Sequence, residues 1–465
     1  MKHTLLTLFL CLVFPLAAAE RPNIVVVLID DMGWGDLSCF GNQAAKTPNI
    51  DRLAAEGIRF RQFYVNSPIC SPSRCALTTG QYPQRWKITS FLNNRADNER
   101  RGMAQWLDPA APSLARFLKS AGYATGHFGK WHLGGQRDVD KAPPITGYGF
   151  DASLTNFEGM GPKLLPLTLK PGDSQPEKLW RDAERLGGPV TWMPRSKITG
   201  GFVEAAIPFM EQAAREKKPF YVNLWPDDVH APFWPPVEKW KPGKRGRFLV
   251  VLEEMDRQLG RLFDHIRDTP ALRDNTVLLL CSDNGPEAGA GSAGKFRGFK
   301  GTLFEGGIRS PLIAWGPGWI DSAKAGTTDD TSVLAAFDLV PSLLGLAKAD
   351  TPEGTSFDGE DISAVLLGKA TLERKTPVFW RRPPDRKPDL APDLAVREGQ
   401  WKLICEYDGA KPRLFDLSSD PGEETDLAPR QPETVARLSR AAVSWHRSLP
   451  SDKGPEIAEG SGRGE

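Results

Sequence analysis

Asn23-Ile24-Val25-Val26-Val27-Leu28-Ile29-Asp30-Asp31 is the stretch on which the fold turns. After Asn23 the run is wholly apolar and mostly β-branched, with no alternation of polar and apolar positions. It therefore predicts a strand buried on both faces, as in a parallel sheet covered by helices on either side. The run stops at two adjacent carboxylates. Asp30 and Asp31 repel each other there and need a cation or a basic partner, and the C-terminal end of such a strand is where open α/β sheets hold their ligands.

Downstream, Thr47-Pro48-Asn49-Ile50-Asp51-Arg52-Leu53 reads as a capped helix stopping at Gly57, and Phe60 to Val65 as the next strand. That strand delivers the chain to Cys70-Ser71-Pro72-Ser73-Arg74, where Ser71 reads as a helix cap, Pro72 as the first helical residue and Gly80 as the far end. Cys70 is then expected beside a helix N-terminus, whose positive potential depresses a thiol's pKa and attracts a phosphate-like or sulfate-like anion. The plainer alternative is a structural cysteine, or a Cys70/Cys75 link.

A helix from Pro112 to Ala121 and a strand from Tyr123 lead into Gly129-Lys130-Trp131-His132. In an extended segment Lys130 and His132 point the same way. The glycine spacing here does not make a nucleotide-binding loop, because two residues separate Gly126 and Gly129 where four are needed. Phe150 to Gly188 is rich in turn formers and carries little pattern. Val203 to Lys217 has helical spacing, Pro219 to Trp225 is another buried strand, and His230 follows just past its end. After a long amphipathic helix, Phe248 to Ile266, the strand Thr276 to Leu280 runs into Cys281-Ser282-Asp283-Asn284. Asp30, Asp31, Asp283 and the Asn284 amide offer a hard, oxygen-rich set that suits calcium, with magnesium as the fallback. No Gly-x-Ser-x-Gly element supports serine hydrolysis.

The chain has 465 residues, 40% hydrophobic and 25% charged, with a formal net charge of +1, so neither nucleic acid nor a polybasic membrane surface is indicated. Met1 to Ala19 reads as a secretory signal: Lys2 and His3, an apolar run from Leu5 to Leu16, then Ala17-Ala18-Ala19. It is too short to span a membrane. A secreted or periplasmic protein is expected, and the odd set Cys39, Cys70, Cys75, Cys281 and Cys405 leaves one thiol for chemistry, its partners' pairing unreadable.

Cys70-x-Pro72-Ser73-Arg74 with Thr79-Gly80, Gly129-Lys130-Trp131-His132, and Lys300-Gly301-x-x-x-Glu305-Gly306-Gly307-x-Arg309 resemble, in order, the motifs of the type I sulfatases of the alkaline phosphatase superfamily. The likeness runs from Asn23 to Glu424. It implies an α/β catalytic domain over 20–350 built on a large, mostly parallel mixed sheet, a smaller antiparallel α+β domain over 351–450, and a tail from 451. In that second unit Leu394 to Arg397, Trp401 to Tyr407 and Leu414 to Leu417 read as strands and Pro432 to Ser448 as a final helix, after a surface loop from Arg382 to Pro392.

The resemblance further implies a sulfuric ester hydrolase of arylsulfatase type in which a separate formylglycine-generating or anaerobic maturing enzyme oxidises Cys70 to formylglycine. Calcium would be held by Asp30, Asp31, Asp283, Asn284 and the modified Cys70. Lys130, His230 and Lys300 would contact the sulfate, Arg74 would hold the nucleophile, and His132 would help break down the covalent intermediate. Glu305 and Arg309 read instead as an ion pair bracing their loop. The serine that some members place near the sulfate has no clear match; Ser153 and Asn156 are the nearest polar residues. Export and the likeness together imply a sulfated carbohydrate or aryl sulfate as substrate. The rivals are a phosphomonoester or phosphonate ester hydrolase of the same superfamily, and a silent binder of sulfated glycans.

Overall fold

The computed structural model describes residues 21–384 and 392–451. The signal segment, nearly all of the tail and most of the Arg382–Pro392 loop lie outside the described residues. Arg382 itself is buried, not on a surface loop, its guanidinium bonded to Asp393 Oδ1 at 3.0 Å.

In chain order the strands are β1 (Asn23–Ile29), β2 (Ile58–Tyr64), β3 (Ala124–Gly129), β4 (Ala152–Leu154), β5 (Lys163–Thr168), β6 (Glu177–Lys178), β7 (Val190–Pro194), β8 (Phe220–Trp225), β9 (Thr276–Ser282), β10 (Arg309–Trp315), β11 (Thr328–Asp329), β12 (Leu334–Ala335), β13 (Val378–Arg381), β14 (Leu394–Glu398), β15 (Trp401–Cys405) and β16 (Arg413–Asp416). The large sheet has the order β11-β2-β10-β9-β1-β8-β3-β4, with β12 also on β2. Within it only β10 runs against its neighbours. β1 lies at the centre, parallel to β8 and β9.

The continuous apolar run explains that position, because alternate residues of β1 feed two different cores. Val25, Val27 and Ile29 pack under the helices Pro48–Glu56, Ile198–Arg215 and Lys244–Asp268. Ile24, Val26 and Leu28 pack under Cys70–Thr79, Leu114–Ser120 and Leu339–Ala347. Burying one such side chain contributes roughly 1.5–3 kcal/mol, and a strand with a polar face would forfeit one of the two layers.

The block expected to be patternless, Phe150 to Gly188, contributes β5 and β6 to a small sheet, β6-β5-β7, that the residues just after it complete. Its β5 explains why the helix expected from Val203 begins at Ile198: a Cβ on Gly201 would stand 2.5 Å from Leu164 Cδ2, so a glycine that reads as a breaker is what lets β5 approach. The C-terminal sheet, β13-β14-β15-β16, is antiparallel throughout. One face packs on the helix Pro432–Ser448 through Leu394, Val396, Leu403 and Leu438. The other, with Trp380, Ala395, Ile404 and Phe415, merges with the main core, and the Trp380 indole donates to the Val65 carbonyl at 2.7 Å. Sequence reading missed β13, an edge strand hidden between Pro377 and Pro383. Among the described residues no helix is long and apolar enough to cross a membrane.

Candidate active site

Because β1, β2, β3, β8 and β9 share one direction and β10 enters from the opposite one, the segments after the first five and before the last meet at a single edge. All ten residues expected from sequence stand there. Lys130 Nζ lies 2.7 Å from Asp30 Oδ2, and Lys300 Nζ lies 2.6 Å from Asp31 Oδ2. Arg74 donates from Nε and Nη2 to Asp283 Oδ2 at 3.1 and 2.8 Å and from Nη1 to the Lys130 carbonyl at 2.8 Å. Asn284 donates from Nδ2 to Asp31 Oδ1 at 2.8 Å, and His230 Nε2 stands 3.7 Å from Asp31 Oδ2. Arg74 is fully enclosed and its donors are committed, so it braces Asp283 and the backbone at Lys130.

Two local expectations are corrected. The helix starts at Cys70 itself, after Ile69, and Ser71 does not cap it: the Ser71 hydroxyl accepts from the Leu92 amide at 3.0 Å. Nor is the thiol acidified. Burial pushes it up to about 12, outweighing Lys130 and Lys300, while Asp30 and Asp283 add to the rise. Unmodified, Cys70 is a neutral thiol near neutral pH. It is 2% exposed, yet it belongs to none of the apolar clusters and faces these charged groups. All five described cysteines are free, Cys75 included.

Lys130 and His132 are likewise not on an extended segment. β3 ends at Gly129, with φ of 128°, where a Cβ would lie 2.1 Å from the Trp225 carbonyl oxygen, and His132 is itself left-handed at φ 56°. What unites the pair is Glu158, which sequence reading missed. Its Oε2 is 3.0 Å from Lys130 Nζ, its Oε1 is 3.3 Å from His132 Nε2, and its carbonyl accepts from the His132 amide at 2.8 Å. The signal for it is topological: β4 lies parallel beside β3, so the segment after β4 reaches the same edge as the segment after β3. Asn156 supports that turn, accepting from the Glu158 amide at 3.0 Å and donating to Asp227 at 2.8 Å, while Ser153 stays within β4.

His132 Nε2 faces two acceptors, the Leu92 carbonyl at 2.9 Å and Glu158. The proton therefore sits on Nε2, and Nδ1, buried and without a partner among the described residues, keeps its lone pair. Burial, followed by Lys130, holds His132 well below the usual histidine range, so the ring is neutral and its Nδ1 lone pair is unprotonated. Glu158→Ala is expected to lower kcat by about 10- to 100-fold, the usual effect of removing a carboxylate that orients a functional histidine. Glu158→Gln keeps an acceptor for Nε2–H and should recover most of that loss. Equal kcat in wild type and Glu158→Ala would remove the assignment.

The acidic tips fit a hard divalent cation. Asp30, Asp31 and Asp283 can each place an oxygen within 4.8 Å of the others, and Asn284 Oδ1 is buried without a donor. Burial opposes the Asp30 carboxylate, but Lys130 and Arg74 hold it well below the carboxylate range, while burial and the neighbouring Asp30 push Asp283 up to about 8. Among the described residues the ligand atoms that cluster here are carboxylate oxygens, with the Asn284 amide oxygen beside them, the hard donors that calcium or magnesium takes.

The described chain matches the family model "Sulfatase" over residues 22–349. It is 32% identical to human arylsulfatase A across 93% of this chain and 89% of that protein. It is 30% identical to the N-acetylgalactosamine-6-O-sulfatase of Bacteroides thetaiotaomicron across 92% and 93% of the two. Among solved structures, Ps i-CgsB in complex with k-i-k-neocarrahexaose superposes with a TM-score of 0.77 at 25% identity, over 93% of this chain and 94% of that one. The chain belongs to the sulfatase family, whose members are sulfuric ester hydrolases.

Proposed function

We propose that the protein removes sulfate from sulfated carbohydrates outside the cytoplasm, with position 70 acting as formylglycine and calcium held by Asp30, Asp31, Asp283 and Asn284. The observation that carries this reading is the convergence of Cys70, those oxygens and the cations Arg74, Lys130 and Lys300 on one sheet edge. The carboxylates themselves support the ion: burial and the neighbouring Asp30 push Asp283 up to about 8, so the crowded tips of Asp30, Asp31 and Asp283 are short of positive charge, and a divalent cation among them would hold Asp283 ionised and offer a sulfate ester a positive centre. The names of relatives that act on sulfated sugars support the substrate class, and Met1–Ala19 supports export.

When present, the formylglycine hydrate supplies one hydroxyl to accept the sulfuryl group and a second whose deprotonation releases sulfate, and the ion supplies charge neutralisation. The chain's own residues do the rest. Lys130 and Lys300, both held well above the usual lysine range by buried carboxylates despite desolvation, stay cationic and neutralise ester oxygens. His230, a third exposed at the rim, and Lys300 both stand at Asp31, placed to hydrogen-bond the departing ester oxygen. His132 Nδ1 takes the proton that accompanies sulfate release. Arg74 fixes Asp283.

The primary test is mass spectrometry of the tryptic peptide Gln62–Arg74, together with rates on an aryl sulfate and the matching aryl phosphate. Formylglycine and a preference for sulfate are expected, and preference for phosphate overturns the reading. Chelator treatment followed by dialysis should abolish activity, calcium should restore it, and magnesium should restore less. Full activity after verified metal removal would eliminate the ion from the scheme.

A further inference from the structure

Directly past His230 the surface opens into a cavity of about 760 Å³ that the chemistry above does not use. Ligand pockets commonly span roughly 300–1,000 Å³. Its wall begins at Ala231, whose carbonyl is 2.7 Å from His230 Nδ1, so the same loop carries the histidine that faces Asp31 and the first residue of the cavity. Lys170, Trp234, Trp240, Lys244 and Arg247 make up most of the remainder, and among the described residues no carboxylate lines it.

These cations are not all neutralised. Lys244 pairs with Glu287 at 2.9 Å. Lys170 and Arg247, among the described residues, form no ion pair, and each lies instead against an indole. Lys170 Nζ is 5.8 Å from the Trp234 ring and the Arg247 guanidinium 5.4 Å from that of Trp240, the two indoles meeting edge to face at 6.0 Å. Indole edges beside uncompensated cations offer apolar contact for a pyranose face and charge-assisted bonds for an anion on the same sugar.

We propose that this cavity is a subsite for a second, anionic sugar of the substrate chain, next to the sugar whose sulfate ester is cleaved, with Trp234 and Trp240 contacting its ring and Lys170 and Arg247 its sulfate or carboxylate. The proposal rests on the sulfated-carbohydrate reading above and narrows it: the preferred substrate is an oligosaccharide carrying adjacent anions, not an isolated sulfated monosaccharide.

The test compares wild type with Lys170→Ala/Arg247→Ala and with Trp240→Ala. The probes are 4-nitrophenyl sulfate and sulfated oligosaccharides differing only in whether the sugar beside the scissile one is charged. Lys170 is exposed and Arg247 half-buried, and neither forms an ion pair among the described residues, so the fold should survive both substitutions, which the circular dichroism of each variant checks. With 4-nitrophenyl sulfate all variants should stay within about twofold of wild type, since that probe is too small to reach the cavity. With the charged-neighbour oligosaccharide, kcat/KM should fall roughly 10- to 100-fold, mostly through KM, the effect of losing one or two charge-assisted bonds. With the neutral-neighbour one the double variant should change little. A uniform loss on every probe, or a wild type indifferent to the neighbour's charge, overturns the subsite. The failures separate: a wild type inert on 4-nitrophenyl sulfate and on every oligosaccharide defeats the activity itself, whereas an active enzyme unaffected by the variants defeats only the subsite.

Discussion

Cys70→Ser is expected to abolish repeated turnover, lowering kcat by about 10,000-fold or more, the scale of removing a nucleophile from an intact site. The physical reason is the number of hydroxyls. Serine can accept a sulfuryl group but has no second hydroxyl whose deprotonation would expel it, so the variant should release at most one alcohol per protein and then stop. The substitution is nearly isosteric, and position 70 faces charged groups and no apolar cluster, so the fold and the acidic edge should survive. The thiol is no substitute either: burial pushes it up to about 12, which leaves almost no thiolate to attack. Incubating the variant with an aryl sulfate, counting product per protein, and finding sulfate on the Gln62–Arg74 peptide checks this directly. Sustained turnover by the serine variant would sink the two-hydroxyl argument, whatever the identity of the substrate.

The parts of this site that were legible in the sequence are those that a strand delivers. Asp30 and Asp31 follow a run apolar on both faces, and Asp283 and Asn284 follow another, so a parallel sheet places them together without any knowledge of side-chain packing. Cys70, Lys130 and His230 were placed by the same logic. What sequence could not supply was position within a loop. Glu158 sits in a stretch with no periodicity, and only the pairing of β4 with β3 brings it to Lys130 and His132. At Cys70 the helix N-terminus, a local property visible in the sequence, points to an acidified thiol, whereas burial depends on everything that closes over it, and burial outweighs the rest. β13 and the β5–β7 sheet escaped for a different reason: both are short, β13 is flanked by Pro377 and Pro383 and β5 is interrupted by Pro166, and tertiary contact, not pattern, makes them strands.

Glu305→Ala is expected to destabilise the protein by about 3–5 kcal/mol, the cost of removing one partner from a buried ionic network. Glu305 is fully buried; its Oε1 accepts from Lys402 at 3.0 Å and its Oε2 from Tyr64 at 2.6 Å and Arg309 at 3.1 Å. Its amide donates to Glu423 Oε2 at 2.6 Å, and Glu423 Oε1 also meets Lys402 at 2.8 Å. The pairing with Arg309 braces the loop as the four-residue spacing suggested, but the larger consequence is between sheets. Lys402 lies on β15, so this knot ties the C-terminal sheet to the segment that carries Lys300, and its loss should lower activity as well as stability. Burial opposes the Glu305 charge, yet Lys402, Arg309 and Arg397 hold its pKa down from 4.5 to about 2. A depressed carboxylate stabilises the fold above its unfolded pKa, and that contribution disappears as the pH falls through the folded value. The stability gap between wild type and Glu305→Gln should therefore be constant above about pH 4.5 and close as the pH drops towards 2. Glu423 is shifted the other way by burial, so its ionised form is the disfavoured one, and Glu423→Gln, which keeps an acceptor for Lys402, should cost far less than Glu305→Gln. Urea midpoints of the three proteins across that range decide the matter, because a Glu305→Gln gap independent of pH would mean that Glu305 acts by packing and not by charge.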